Sequence, residues 1–373
     1  MTRERALRTV FLGLATLGLA ACGTENSLVD QPSTAMQVVE MSPDSFEPAP
    51  EEPRFYLLDP TYAPAVSDDG TVLLYEWSTG GDVYLWTEDQ GLEWVTTTGT
   101  WFNTVQDISA DGSTIIGDYG NYEAGEDTQA ATWTRADGWT QLGALPDTLN
   151  CPMQSSGWAL NADGTVASGL AFVGCSAYGF RWDATNGMVA YDQLGNGGNR
   201  ITKMSRDGEL AVGFAQGDSS RTPAVWYADG SGEVMNMSWT GELYGVAADG
   251  SLAVGQLGSK AGTWSPTDGP HILGTLGSPG QTSARAVAVC GATDELIFGA
   301  DSLSGGIATA WTEGNGIVAL QDYLESFGME FPSATRLQSA TACNPDETVL
   351  VGKGSVGDRV GSWVVVLPPH YLD

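Results

Sequence analysis

The residues of this chain that could do chemistry are mainly carboxylates. The sequence has 46 aspartates and glutamates against 15 lysines and arginines, a net charge of −31, and only two histidines, His271 and His370. Two carboxylates at the right separation suffice for glycoside hydrolysis, so paired acids are one route to an enzyme. Two histidines do not make a multi-histidine metal site. The charge excludes a nucleic-acid-binding surface, because such affinity comes mainly from cations that neutralise phosphates.

Sequence signatures of other reactions are missing. No G-x-S-x-G nucleophile motif, P-loop or dinucleotide fingerprint occurs in the chain. His271 falls in a predicted outer strand and His370 in the C-terminal tail, so neither is placed to activate a central serine. We therefore predict no catalytic residue and no cofactor, and expect a non-enzymatic binding or scaffold protein. A carbohydrate-active hydrolase or lyase that uses paired carboxylates on the propeller face predicted below is the alternative.

Seven repeated units must position any site. Their anchor tryptophans, spaced by 38 to 52 residues, are Trp86, Trp133, Trp182, Trp226, Trp264, Trp311 and Trp363. Tight turns precede the first five anchors, at Asp69-Gly70, Asp111-Gly112, Asp163-Gly164, Asp207-Gly208 and Asp249-Gly250. The last two units have Asp294-Glu295 and Asp346-Glu347 instead. This spacing is typical of four-stranded propeller blades.

The last unit is one strand short, because the chain ends soon after Trp363. The segment Arg54–Leu58, before the first turn, is predicted to supply that strand and to remove the open sheet edge. We predict an all-β, seven-bladed β-propeller of four-stranded blades over residues 54–373. The apolar stripe in Leu320–Met329 predicts one short helix that covers the edge or floor of the propeller.

The repeated Ser/Asn-x-Asp-Gly turns allow two interpretations. Carboxylates on turns are common calcium ligands. Alternatively, each Asp accepts hydrogen bonds within its own turn while the Gly supplies the required geometry. We favour the second interpretation, so calcium is not favoured and no metal site is predicted.

Short motifs in the repeats resemble a known family. Leu273–Gly277, followed by Thr282–Val289, and returning strands such as Ala211-Val212-Gly213 and Ala253-Val254-Gly255, are similar to the HAF-type extracellular repeats of bacterial secreted proteins. The resemblance implies an extracellular propeller. It implies no activity and no catalytic residues, because that family is not tied to one activity.

The N-terminus resembles that of a bacterial lipoprotein. Three arginines precede the apolar stretch Val10–Ala21, which is too short to span a bilayer, and Leu19-Ala20-Ala21-Cys22 matches a lipobox. We predict a signal peptide over residues 1–21, lipid modification of Cys22, and a disordered acidic linker within 22–53. Gly23, where an inner-membrane retention signal would have Asp, points to anchoring in the outer membrane.

Four further cysteines remain, and in an exported chain they indicate two disulfides. Cys151 and Cys175 fall in loops on one face of blade three. Cys290 and Cys343 follow the innermost strands of blades six and seven, on the opposite face. The blade layout therefore predicts the pairs Cys151–Cys175 and Cys290–Cys343.

Propellers present ligands on the face formed by the interblade loops and the loops between second and third strands. Exposed aromatic side chains there suit recognition of a sugar or a protein. The candidate binding residues are Trp77, Trp101, Phe102, Asp118, Tyr119, Tyr122, Glu126, Asp127, Asp218, Arg221 and Asp301. For Trp77 and Trp101, packing between blades is the alternative. No arginine cluster for an acidic sugar is evident, and we expect a protein or polysaccharide partner.

Overall fold

The computed structural model describes residues 52–99, 103–121, 125–146, 154–174, 176–217, 220–235, 240–277, 283–290 and 296–372. All of them belong to one compact unit, Pro48–Asp373. Within these ranges, seven four-stranded antiparallel sheets form the blades of a propeller. No helix in the same ranges is long and apolar enough to cross a membrane. The predicted fold class is confirmed.

The chain enters with β1 (Arg54–Leu58) and then builds its blades in order. Blade one comprises β2 (Tyr62–Val66), β3 (Val72–Glu76), β4 (Asp82–Thr87) and β5 (Gly91–Thr97). Blade two comprises β6 (Val105–Ile108), β7 (Thr114–Tyr119), β8 (Gln129–Thr134) and β9 (Gly138–Gly143). Blade three comprises β10 (Ser155–Leu160), β11 (Val166–Val173), β12 (Ser176–Asp183) and β13 (Gly187–Ala190).

The remaining blades follow the same plan. Blade four comprises β14 (Asn199–Met204), β15 (Leu210–Gln216), β16 (Arg221–Tyr227) and β17 (Gly232–Val234). Blade five comprises β18 (Gly241–Val246), β19 (Ala253–Leu257), β20 (Lys260–Ser265) and β21 (Gly269–Gly274). Blade six comprises β22 (Ala284–Cys290), β23 (Leu296–Asp301), β24 (Ile307–Thr312) and β25 (Gly316–Ala319). Blade seven comprises β26 (Thr335–Cys343), β27 (Val349–Val356) and β28 (Arg359–Val366), with β1 as its fourth strand.

The ring closes as the sequence predicts. Strand β1 pairs antiparallel with β28, from Arg54 opposite Val366 to Leu58 opposite Ser362. The backbone N–H of Ser362 also donates to the carbonyl of Pro60, 3.0 Å away, just beyond the strand. The two ends of the propeller domain therefore share one sheet, which leaves no unpaired edge at the closure.

Apolar side chains fill the spaces between adjacent blades. The seven hydrophobic clusters of the described residues each join two neighbouring blades. Every anchor tryptophan lies on the third strand of its blade and packs in the cluster shared with the preceding blade. Trp226 and Trp363 are completely buried. The tryptophan repeat thus specifies contacts between blades, and truncation of such a side chain typically costs roughly 3–5 kcal/mol.

The Asp-Gly turns are held by their own side chains. Asp111 Oδ1 accepts from the Ser113 backbone N–H at 3.0 Å and from the Ser109 hydroxyl at 2.7 Å. These bonds lower the pKa of Asp111, which therefore stays charged. Gly112 has a φ of +69°, in the left-handed region that favours glycine. These contacts are the ones expected if each Asp accepts hydrogen bonds within its own turn.

The same turns also join the blades into a ring. Asp68 N–H donates to the Ala110 carbonyl at 2.9 Å, and Ala110 N–H donates to the Ala162 carbonyl at 2.8 Å. In the same way, Ala162 N–H donates to the Arg206 carbonyl at 2.8 Å, and Arg206 N–H donates to the Ala248 carbonyl at 2.9 Å. Each of these residues is the second of its Ser/Asn-x-Asp-Gly turn, apart from Ala248 in the variant turn of blade five. A chain of backbone bonds therefore links blades one to five on this face.

A helix and a disulfide also connect blades six and seven. The helix α1 (Leu320–Ser326) buries Leu320, Tyr323 and Leu324 against both blades and ends three residues before its predicted limit. Cys290 and Cys343, at the ends of the first strands of these blades, form a disulfide with their Cα atoms 6.0 Å apart. This is the pairing that the blade layout predicts. Cys151 and Cys175 lie outside the described residues.

Candidate binding site at the channel mouth

The first strands of the blades line a central cavity of about 120 Å³. Two ion pairs cross it. Lys203 Nζ of blade four donates to Asp107 Oδ1 of blade two at 2.7 Å, and Arg206 of blade four pairs with Asp68 of blade one. The residues that line the cavity come mostly from the C-terminal halves of the first strands and the turns after them. The opposite ends of these strands form the channel mouth.

Each first strand carries a β-bulge. The residues two positions before these bulges, one from each blade, together form a ring at the mouth. The bulges fall between Ile201 and Lys203 in β14 and between Leu243 and Gly245 in β18, for example. The equivalent positions around the ring are Tyr62, Thr104, Ser156, Arg200, Glu242, Arg285 and Arg336. Three arginines and one glutamate thus occupy matching places in blades four to seven.

Glu242 holds two arginines together. Its carboxylate accepts from Arg200, and it accepts from Arg221 at 2.9 Å and from the Thr202 hydroxyl at 2.9 Å. The Glu242 side chain is only 2% exposed, whereas that of Arg221 is 51% exposed. A buried carboxylate requires such partners, since an unpaired buried charge is very costly. Glu242 therefore fixes both guanidinium groups at the mouth.

Aromatic rings stack on these guanidinium groups. The Arg200 Cζ lies 4.0 Å from the centre of the Trp158 ring and 5.0 Å from that of Phe214. Arg221 Cζ lies 4.3 Å from the same Phe214 ring. Arginine is suited to this arrangement because its planar, weakly hydrated guanidinium stacks on aromatic faces. The rings hold the two arginines in place while leaving Arg221 accessible.

Arg285 occupies a different environment. Its Cζ lies 5.7 Å from the Tyr244 ring, and no carboxylate of the described residues lies within ion-pair distance of it. Burial raises the pKa of Tyr62, and the positive charges of Arg285 and Arg200 offset part of that rise. The mouth thus gathers equivalent positions of blades one, four and six. We call Arg200, Arg221, Glu242 and Arg285, with the rings of Tyr62, Trp158, Phe214 and Tyr244, the arginine cluster.

The arginine cluster concentrates scarce positive charge. Of the 15 lysines and arginines, three precede residue 9, so twelve remain for the linker and the propeller. Half of these twelve lie on or beside the first strands: Arg200, Lys203, Arg206, Arg221, Arg285 and Arg336. In a chain with a net charge of −31, half of these scarce bases are thus gathered around the channel.

Two of the predicted binding residues are buried. Asp118 is 3% exposed, and its Oδ1 accepts from the Gly157 N–H of the neighbouring blade at 3.0 Å. Burial raises the pKa of Asp118 to about 7. Asp301 is 1% exposed and accepts from the backbone N–H groups of Leu276 and Leu303. The sequence predicted both on the exposed ligand face. The structure instead buries them as acceptors for backbone N–H groups at strand ends, because buried backbone donors need acceptors.

The other predicted residues within the described ranges are accessible to different extents. Trp77 is 45% exposed and stacks on Tyr62 at 5.5 Å with 15° between the ring planes, so it does not pack as interblade core. Tyr119 stacks on Trp139 at 5.6 Å. Glu126, Asp127 and Arg221 are exposed. The candidates that lie outside the described residues are Cys22, Trp101, Phe102, Tyr122 and Asp218, together with the cysteines of the second disulfide.

The arginine cluster was missed at the level of sequence, although a signal exists. Counting back seven residues from the Asp of each Asp-Gly turn reaches one position of the mouth in each of the first five blades. These positions are Tyr62, Thr104, Ser156, Arg200 and Glu242. Arg285 and Arg336 escape this count because their units lack the Asp-Gly pair. No arginine cluster for an acidic sugar was evident from the sequence, because residues far apart in the chain meet only when successive blades pack together.

Comparison with known proteins supports the fold and leaves the family open. No family model matches the chain, so the HAF-type resemblance rests on short motifs alone. The 8-amino-7-oxononanoate synthase of Aeromonas hydrophila is 30% identical over 93 residues, which is 25% of this chain and 23% of the synthase. The chain thus matches less than a quarter of that protein's length, and this partial match assigns no activity.

One of three similar solved structures supports the architecture. A chain of a mitotic checkpoint complex superposes with a TM-score of 0.52 at 14% identity, over 92% of this chain and 98% of that chain. TolB from Acinetobacter baumannii has a TM-score of 0.41 at 14% identity, over 56% of this chain and 52% of that one. A putative TolB from Agrobacterium tumefaciens has a TM-score of 0.42 at 13% identity, over 82% of this chain and 90% of that chain. At such an identity the first match shows the fold alone, and the two matches with TM-scores below 0.5 carry no argument.

Proposed function

We propose that this chain is a non-enzymatic, extracytoplasmic binding protein that holds another protein or a polysaccharide at its channel mouth. A lipid on Cys22 would tether it to the bacterial outer membrane through the acidic linker. The observation that carries the proposal is the arginine cluster, in which guanidinium groups and aromatic rings converge from several blades. Arginine and aromatic side chains are enriched at the energetic centres of interfaces.

Binding is favoured over turnover because the carboxylates at the channel are already engaged. Glu242 is held by two arginines and a threonine, and Asp107 is held by Lys203 and by the backbone N–H of Ile108. Asp118 has the raised pKa expected of a general acid, but it is buried and bonded to blade three. These contacts give each acid a structural role, which supports a site that binds without general acid–base chemistry.

The binding site can be tested by photo-cross-linking in cells that produce the full-length protein. A photoreactive amino acid replaces Trp77 at the mouth or, as a control, Glu209, which is exposed in the turn on the opposite face. We expect specific adducts with an envelope protein or polysaccharide from position 77 and none from position 209. Equal labelling from both positions, or adducts from position 209 alone, would contradict binding at the mouth.

The tether is tested separately by metabolic labelling with an alkyne-bearing fatty acid. We expect the wild-type protein to be labelled and to fractionate with outer membranes, and Cys22→Ser to be unlabelled and released from them. Labelling of the Cys22→Ser variant, or an unlabelled wild type, would remove the lipid anchor. The result at the channel mouth would still stand in that case.

A further inference from the structure

We infer that the ligand at the arginine cluster is an acidic saccharide, recognised through the carboxylate of a uronic acid ring. This inference rests on the proposed function and specifies its ligand class. Three properties of the mouth support it: an arginine with no carboxylate of the described residues within ion-pair distance, an exposed aromatic surface at the same mouth, and a modest local excess of positive charge.

The arginine is Arg285. Within the described part of the chain, Arg200 and Arg221 share Glu242, Lys203 pairs with Asp107, and no carboxylate lies close to Arg285. Arg285 is exposed, and it differs from Arg336, which donates to the Ser304 carbonyl at 3.1 Å, in having no hydrogen-bond acceptor among the described residues. A guanidinium fork binds a carboxylate through two parallel hydrogen bonds, which supplies both orientation and affinity.

The aromatic surface is Trp77 on Tyr62. Their stacking covers one side of the indole, yet 45% of Trp77 stays exposed. Tyr62 and Arg285 occupy equivalent positions on the first strands of blades one and six, so the aromatic surface and this guanidinium belong to the same mouth. A sugar acid offers in one ring an apolar C–H face for the indole and a carboxylate for the arginine. An acidic peptide carries its charges on flexible chains and has no such face.

The local charge decides between carboxylates and denser anions. Three arginines and one glutamate leave the cluster with an excess of two positive charges, within a molecule of net charge −31. Salt screens the distant acids over about 8 Å, so short-range contacts with arginine dominate at the mouth. Single charges spaced along a saccharide fit this small excess better than clustered phosphates, which carry more negative charge than the cluster can neutralise.

The test is calorimetric titration of the purified full-length protein with trisaccharides to hexasaccharides of galacturonate, glucuronate and mannuronate. The methyl esters of the same oligomers keep the ring and remove the charge. We expect at least one free acid to bind, and we expect its affinity to fall at least tenfold on esterification and in Arg285→Gln, as the loss of a charged hydrogen bond implies. Arg359→Gln is the matched control, since Arg359 is 68% exposed and pairs with Asp59 at the closure of the ring; its affinity should not change.

Three outcomes would overturn the inference. They are no binding by any oligouronate, equal binding of acids and esters, or an Arg285→Gln variant that binds as well as the wild type. A glutamate decapeptide and neutral oligosaccharides are titrated in parallel. If the peptide binds and depends on Arg285, or if a neutral sugar binds and depends on Trp77, the acidic-saccharide inference fails while the proposed binding function survives.

Discussion

At the scale of single residues, burial divides the acids of this chain into two kinds. Exposed turn aspartates such as Asp111 accept hydrogen bonds that lower their pKa, so they remain charged. Asp118 is buried between blades two and three, and desolvation there raises its pKa to about 7 despite the bonds it accepts. Its protonation is therefore linked to folding.

Asp118→Asn should change how stability depends on pH. Between pH 4 and 7 the folded wild type keeps the Asp118 proton while the unfolded chain, with an ordinary pKa of 3.8, releases it. The contribution of Asp118 is thus greatest below pH 4 and is lost as the pH rises to 7. The neutral amide can still accept from Gly157, so its advantage over the wild type should grow by roughly 1.4 kcal/mol per pH unit in this window.

Urea unfolding of the wild type and Asp118→Asn at pH 4, 5, 6, 7 and 8 measures this difference. Glu126→Gln is the control, because Glu126 is an exposed acid in the loop that follows the same strand. A gap between Asp118→Asn and wild type that stays constant from pH 4 to 7 would mean that Asp118 is already charged in the folded protein.

At the scale of elements, the tight turn between the first and second strands of a blade has two structural roles. It reverses the chain at a glycine with positive φ, and its second residue bonds to the next turn. Blade seven keeps the turn but places Glu347 at the glycine position, with a φ of +57°. A residue with a Cβ is disfavoured there by roughly 1–2 kcal/mol.

Glu347→Gly should therefore stabilise the protein by about 1 kcal/mol, after allowance for the greater flexibility of glycine in the unfolded chain. The reciprocal change Gly112→Ala introduces a Cβ at a φ of +69° in blade two and should destabilise it by about 1 kcal/mol. Chemical unfolding of both variants measures the two effects. If Glu347→Gly is the less stable protein, the contacts of the Glu347 side chain outweigh the backbone conformation.

At the scale of the whole molecule, stability depends on how the ring is closed. Strand β1 completes blade seven, and the Cys290–Cys343 disulfide and helix α1 fasten blade six to blade seven. These contacts act beside the junction of the chain ends, where a ring would otherwise open. The site at the mouth needs this closure, because it combines Tyr62 of blade one with Arg285 of blade six, and blade seven lies between these blades.

Replacing both Cys290 and Cys343 by serine should lower the free energy of unfolding by about 2–4 kcal/mol. The disulfide spans 53 residues of sequence, so its loss frees a long loop in the unfolded chain. Chemical unfolding under oxidising conditions measures the effect, and the wild type with reductant should approach the variant. Equal stability of the variant and the oxidised wild type would contradict a stabilising role.

Peptide mapping without reductant checks the connectivity as well. We expect Cys290 with Cys343, as in the structure, and Cys151 with Cys175, which remains a prediction. A Cys151–Cys290 link would contradict the assignment of these residues to opposite faces.

Local patterns in the sequence determined the architecture. The tryptophan spacing, the Asp-Gly turns and Arg54–Leu58 predict seven blades and the closing strand, since each is a property of neighbouring residues or of a fixed period. The Cys290–Cys343 pair follows because equivalent positions in adjacent blades lie side by side. Arg221, Trp77 and Glu126 were placed on an accessible face for the same reason.

Only the tertiary structure decided which side chains meet and which are buried. Arg200, Glu242 and Arg285 lie 42 and 43 residues apart along the chain, yet the packing of successive blades brings them to one mouth. Asp118 and Asp301 looked like exposed loop acids, and the packing of strand ends buried them. A repeat period sets the position of a residue within its blade, whereas its charge partners and its exposure depend on the other blades. That is why the fold could be predicted from sequence while the contacts within the arginine cluster could not.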